Sequence, residues 1–150
     1  MKRLTLALAF VSMMFTTLTV IGAETSTDKV GASGKCLGYL SMFNEEDVKA
    51  KPTRTRALLD LYKSSFAEAI QTSSIRKAID SGFFAKSGAD LNKDFYAGFI
   101  LAGIFDESTK KIKDAVPNNE MSTLSFAELK QRWGEEAVKA YASENCDLIK

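Results

Sequence analysis

Two cysteines bracket almost everything this chain could fold, Cys36 close to one end and Cys146 close to the other. Whether they can be bonded depends on where the protein lives, and the first residues speak to that. Lys2 and Arg3 open the chain with positive charge, and Leu4 to Ile21 contains no ionisable residue. The run ends at Ile21-Gly22-Ala23, with polar Glu24-Thr25-Ser26 following. This is the pattern of a secretory signal peptide over residues 1–23, with cleavage expected after Ala23. Thr and Ser dilute the apolar run, so a retained membrane anchor is the weaker reading, and the mature chain is expected to keep no stable anchor. In an oxidising compartment Cys36 and Cys146 are expected to form one disulfide. It would close a loop of over a hundred residues, for which chain entropy gives about 4 to 5 kcal/mol. The alternative, a reactive thiol pair, wants close spacing and a neighbour that lowers the thiol pKa, and the spacing here supplies neither.

Removing 23 of 150 residues leaves 127, enough for one core of its own. Two of the 20 Lys and Arg leave with the leader, so 18 cations face 19 carboxylates, a net charge of −1. Such balance offers no broad attraction to nucleic acid or to anionic membranes, and nucleic acid is not an expected partner.

Residues 24–34, rich in Thr, Ser, Gly and Ala, show no apolar period and read as a flexible lead-in. A single helical domain is then expected over 35–150. Cys36, Leu37, Leu40 and Phe43 suit a short helix over 35–43. A polar link follows, closed by Pro52. Leu58, Leu61, Tyr62, Phe66, Ala69 and Ile70 share one stripe, and Ile75, Ala78 and Ile79 continue it as one long helix or two abutting ones. Gly82 ends it, ahead of Phe83-Phe84, expected as a buried aromatic pair. The next helix starts near Asp90 or Asn92 and is apolar nearly all round through Phe95, Tyr96, Phe99, Ile100, Leu101, Ile104 and Phe105, which marks it as the central helix. Gly98 and Ala102, four apart, suit close helix packing. Ser125 with Glu128 forms a capping box, with Leu124 and Leu129 as its staple. Phe126, Leu129, Trp133, Ala137 and Tyr141 then share a face, and Glu128–Arg132 and Glu135–Lys139 are spaced to pair. No segment alternates like a strand. The fold class predicted is all-α, a small bundle of four to six helices stapled by one disulfide.

The chain contains no His, which removes His-based triads and zinc proteases. Glu45-Glu46-Asp47, Asp106-Glu107 and Glu135-Glu136 are adjacent carboxylates, and helix neighbours diverge rather than converge across a bond. Asp90-Leu91-Asn92-Lys93-Asp94 opens like a calcium loop and then fails, with Phe95 where Gly is required and Leu101 where a closing Glu belongs. Ser74-Ile75-Arg76-Lys77 and Ser108-Thr109-Lys110-Lys111 satisfy Ser-x-x-Lys without the accompanying elements of that enzyme class. Arg54 with Arg56, and Lys110-Lys111 with Lys113, read as solvated helix faces. No catalytic, metal-ligating or cofactor-binding residue is assigned, and no cofactor is expected.

Cys36-Leu37-Gly38-Tyr39-Leu40, a Cys-x-Gly-Tyr-aliphatic stretch early in a small exported helical chain, resembles periplasmic immunity proteins that neutralise amidase toxins of type VI secretion. That resemblance implies a disulfide-bearing helical fold that blocks a toxin's active site by protein contact. The function expected is accordingly a non-enzymatic binding protein, periplasmic or secreted, whose partner is another envelope or secreted protein. The alternatives are a small-ligand (lipid) carrier or envelope chaperone, with Phe83, Phe84, Phe95, Phe99, Phe105 and Trp133 lining a cavity instead of a core, and a carboxylate-based cell-wall enzyme.

Overall fold

Thr25 and Asp28 cap each other at the start of the first helix. The Thr25 hydroxyl accepts from the Asp28 N–H at 3.2 Å, and the Asp28 carboxylate accepts from the Thr25 N–H at 3.0 Å. Two of the orphan donors of a helix start are thereby satisfied. The computed structural model describes residues 25–88 and 92–150, without the side chains of 73–75, 78, 83 and 84. The proposed leader, Asp90 as a cap, and the packing of Ile75, Ala78, Phe83 and Phe84 lie outside that description.

From this cap α1 runs Ser26–Leu40. The flexible lead-in over 24–34 is therefore corrected: the helix starts at Ser26, and Val30, Ser33 and Gly34 are buried in it. Four long helices carry the bundle, α1 with α3 (Arg54–Ala69), α6 (Lys93–Asp114) and α8 (Phe126–Ser143). Shorter helices join them, α2 (Glu45–Lys49) in the expected polar link, α4 (Ser73–Ser81), α5 (Phe83–Lys86), and α7 (Asn118–Thr123) after Pro117. Every regular element among the described residues is helical, and none is long and apolar enough to cross a membrane. The stripe beginning at Leu58 belongs to two helices, because the chain turns at 70–72 between α3 and α4. Asn92 caps α6, its side chain accepting from the Phe95 N–H at 2.9 Å.

The centre of the bundle is α1, which packs against α3, α6 and α8. The expectation that α6 is central is corrected. Of α6 only Tyr96, Ser108 and Ile112 are buried, while Phe99 keeps 58% of its surface exposed and Gly98 and Ala102 face solvent. The close helix approach occurs instead at Gly34 and Gly38 of α1. A Cβ on Gly38 would stand 2.7 Å from the Ser108 Cβ, and one on Gly34 would stand 3.0 Å from the Ile104 Cδ1. Missing side chains on α1 let the α6 backbone move in, and dense packing follows from that proximity. Leu37, Tyr39 and Leu40 of α1 then meet Leu58, Tyr62, Phe66 and Ala69 of α3, Ile112 of α6, and Ala137 and Tyr141 of α8. Each Leu, Ile or Phe side chain buried among them contributes roughly 1.5–3 kcal/mol.

Cys36 and Cys146 are disulfide-bonded, with Cα atoms 5.7 Å apart. Both are fully buried. The bond ties the middle of α1 to the segment after α8, where Asn145, at φ 53°, turns the chain back.

Candidate functional site

The second capping box opens α8 as its residue types require. The Ser125 Oγ accepts from the Glu128 N–H at 3.4 Å, and the Glu128 carboxylate accepts from the Ser125 N–H at 2.8 Å and from its hydroxyl at 2.7 Å. These bonds, that from the hydroxyl first, hold the Glu128 carboxyl below its ordinary pKa. Glu128 is thus occupied, and Arg132 pairs elsewhere: with Glu120 of α7 at 3.0 Å and with Glu135 at 2.6 Å. Lys139 takes Glu136 at 2.8 Å. Both pairings expected from four-residue spacing are corrected by these partners.

Phe126 is the first residue of α8, and Trp133 lies two turns on along the same face. Their rings meet edge to face, centroids 6.3 Å apart at 78°. Phe126 is 70% exposed, so the face that buries Ala137 and Tyr141 lower down emerges into solvent at its first turn. Its angular position on the helix is the one periodicity predicts. What fails is cover, because no helix among the described residues shields the Phe126 ring. A groove of about 470 Å³ opens there. Phe126, Lys130 and Trp133 line one side, Lys113 from the last turn of α6 joins them, and the turn from Met42 to Glu45 forms the other wall. The Lys113 ammonium sits 5.8 Å from the centre of the Trp133 ring, within cation–π range. The Trp133 indole N–H is buried without a hydrogen-bond acceptor, so packing and Lys113 hold that ring.

The far wall is tightly packed. Gly134 has no side chain where Asn44 presses onto α8, and a Cβ there would overlap the Asn44 carboxamide carbon at 2.6 Å. Phe43 packs edge-on against Tyr141, centroids 5.3 Å apart. The Tyr141 hydroxyl donates to Asp147 at 2.8 Å, and Lys51 reaches the same carboxylate at 2.6 Å. Burial first, and then Asp147, pushes the Tyr141 hydroxyl up to about 12. Lys51, then Tyr141, hold Asp147 below its ordinary value. Arg54 donates to the Cys146 carbonyl and, at 3.0 Å, to that of Ile149. Arg54 is therefore a clamp on the C-terminal segment and not part of a solvated face, while Arg56 remains exposed.

The lysine cluster splits three ways. Lys110 pairs with Asp114, Lys111 reaches Glu144 at 3.1 Å and the Tyr39 hydroxyl at 3.3 Å, and Lys113 alone faces the groove. Ser108 is buried, donates to the Ile104 carbonyl at 2.7 Å, and packs on Gly38, while Lys111 is turned away to Glu144. Of the aromatics expected to line a cavity, those whose side chains are described do not gather in one place either. Phe95 and Phe99 stack on each other on α6 at 6.2 Å, while Trp133 belongs to the α8 groove. A second groove, about 450 Å³, runs between α3 and α6 beside Leu59, Tyr62, Phe66 and Leu101. Tyr62, its hydroxyl pushed up to about 12 by burial, donates to the Ala97 carbonyl at 2.7 Å behind it. Glu45 pairs with Lys49 at 2.6 Å, and no cluster of three metal-ligating side chains exists among the described residues.

No protein-family model, curated protein or solved structure matches this chain.

Proposed function

We propose that this chain is an exported, non-enzymatic binding protein that acts by contact with another envelope or secreted protein, with immunity or inhibitor action as its sharpest form. The observation that carries this reading is the exposed Phe126 ring set edge to face on the half-buried Trp133, at a groove whose far wall is tightly packed. Large aromatics at a concavity are what protein interfaces use as anchors, and a tightly packed wall leaves few side chains to be ordered on docking. The Cys36–Cys146 bond supports a periplasmic or secreted location, since such bonds persist in oxidising compartments.

The test is affinity capture from envelope and secreted extracts with the oxidised protein, Phe126→Ala in parallel. The expected result is a stoichiometric partner whose affinity falls about 30-fold in the variant, the loss of about 2 kcal/mol typical of an anchor residue. Absence of any stoichiometric partner overturns the reading. The carrier reading has one observation in its favour, the apolar groove between α3 and α6. Native mass spectrometry showing a co-purifying lipid would support it, and a clean apo mass would count against it.

A further inference from the structure

Resting on the protein-docking reading, we infer that the Phe126–Trp133 groove takes an acidic segment of its partner, one in which an apolar or aromatic side chain is flanked by carboxylates. The first argument is charge. Lys113 and Lys130 both line the groove, and among the described residues neither has a carboxylate within ion-pair reach. Around them pairing is the rule: Lys110 has Asp114, Lys111 has Glu144, and Lys139 has Glu136. The one carboxylate that lines the groove, Glu45, is already neutralised by Lys49 at 2.6 Å. The groove thus presents two lysines without an ion-pair partner beside one carboxylate that has its own, on a chain whose whole sequence carries a formal charge of only +1. Two cations also supply too little neutralisation for a nucleic-acid backbone, whose affinity grows with the number of phosphates contacted.

The second argument is shape. A volume of about 470 Å³ lies within the range of roughly 300–1,000 Å³ in which pockets bury compact groups. Its aromatic side offers an edge-to-face seat against Phe126 and Trp133, and Lys113 already stands over the indole. A side chain filling that seat would bring its neighbouring carboxylates to Lys113 and Lys130, where part of the water is excluded and the attraction is stronger than in bulk solvent.

Trp133 is the only tryptophan in the chain, so its emission reports on this groove alone. The experiment selects a random-peptide display library on the oxidised protein, with Phe126→Ala and the Lys113→Glu/Lys130→Glu pair as comparisons and circular dichroism as the folding control. Peptides carrying Asp or Glu beside Phe, Tyr, Trp or Leu are the expected outcome. They should shift Trp133 emission, weaken as salt rises from about 50 to 300 mM, and lose about tenfold or more affinity on charge reversal. Peptides that need Phe126 but show no acidic bias would overturn the acidic partner and leave the docking reading standing. Peptides indifferent to Phe126 would overturn the groove. A concentration-dependent dimer in sedimentation that Phe126→Ala abolishes would assign the face to a second copy and overturn the inference equally. The docking reading itself fails only in the capture experiment.

Discussion

α1 and α6 exchange the roles their compositions suggest. Apart from Val30, the first half of α1 is Ser, Thr, Gly, Ala and charge, yet α1 lies at the centre with Val30, Ser33, Gly34, Cys36, Leu37, Gly38, Tyr39 and Leu40 buried. The apolar α6 lies to one side, with Phe95 39% and Phe99 58% exposed. The difference teaches that a helix earns a central position by letting its neighbours come close. Gly34 and Gly38 each cost about 1 kcal/mol of helix propensity relative to Ala. At these two sites the cost is offset by the approach of Ile104 and Ser108, which brings many atoms into contact at once.

The largest expected effect comes from cutting the tie that keeps α1 central at its far side. Reducing the disulfide, or replacing both Cys36 and Cys146 with Ala, should lower stability by about 2–5 kcal/mol in urea unfolding. Local amide exchange should rise first in the segment after α8, which then keeps only its polar ties to Arg54, Lys51, Tyr141 and Lys111 and the packing of Ile149. An unchanged unfolding midpoint would mean that the four-helix packing centres α1 without the bond.

Gly38→Ala comes next. The new methyl would meet the Ser108 Cβ at 2.7 Å and the Phe105 Cα at 3.6 Å, atoms that move only if α6 itself moves. A net loss of about 1–3 kcal/mol is expected even after the propensity gain. A neutral result would show that α6 slides freely on α1.

These two sites also show what could be read from residues alone. The all-α class, the Cys36–Cys146 bond, and the caps at Asn92 and Ser125 were legible, because each rests on local chemistry that tertiary context does not overrule. The start of α1 was equally local. Thr25-x-x-Asp28 is the same capping signature as Ser125-x-x-Glu128, and it lies hidden only because no apolar period follows it. Periodicity weighs apolar side chains, and the contact made by Gly34 and Gly38 consists of their absence. The candidate groove was half legible. Phe126 and Trp133 share the predicted face, but exposure depends on how far the ends of α1 and α6 reach along α8, which no single-helix pattern encodes. Arg132 departs from its expected pairing for another reason: Glu128 is already taken by the cap.

Gly34→Ala should fall between Gly38 and an unconstrained site. Its methyl would meet the Ile104 Cδ1 at 3.0 Å and Cγ2 at 3.1 Å, the outer atoms of a side chain that can change rotamer. The propensity gain and the repacking cost nearly cancel, leaving a change within about 1 kcal/mol. A loss as large as that of Gly38→Ala would place Ile104, like Ser108, among the groups that cannot give way.

Gly98→Ala is the smallest effect and the one that tests the other side of the comparison. Gly98 lies in α6, outside the left-handed region, and a Cβ there would have nothing within 4 Å. The substitution should therefore stabilise by about 0.4–1 kcal/mol, chiefly by restricting the unfolded chain. Urea midpoints of the three glycine variants should then order as Gly38→Ala below Gly34→Ala below Gly98→Ala, with only the last clearly above wild type. Gly98 also borders the groove between α3 and α6, so the sign of its effect bears on the carrier reading. A gain for the apo protein that disappears when lipid is present would mean that the methyl displaces a ligand. The same gain in both conditions would leave this face of α6 as surface that the fold tolerates, apolar in sequence and unused in packing, while the glycine-bearing face of α1 does the work that sequence pattern assigned to it.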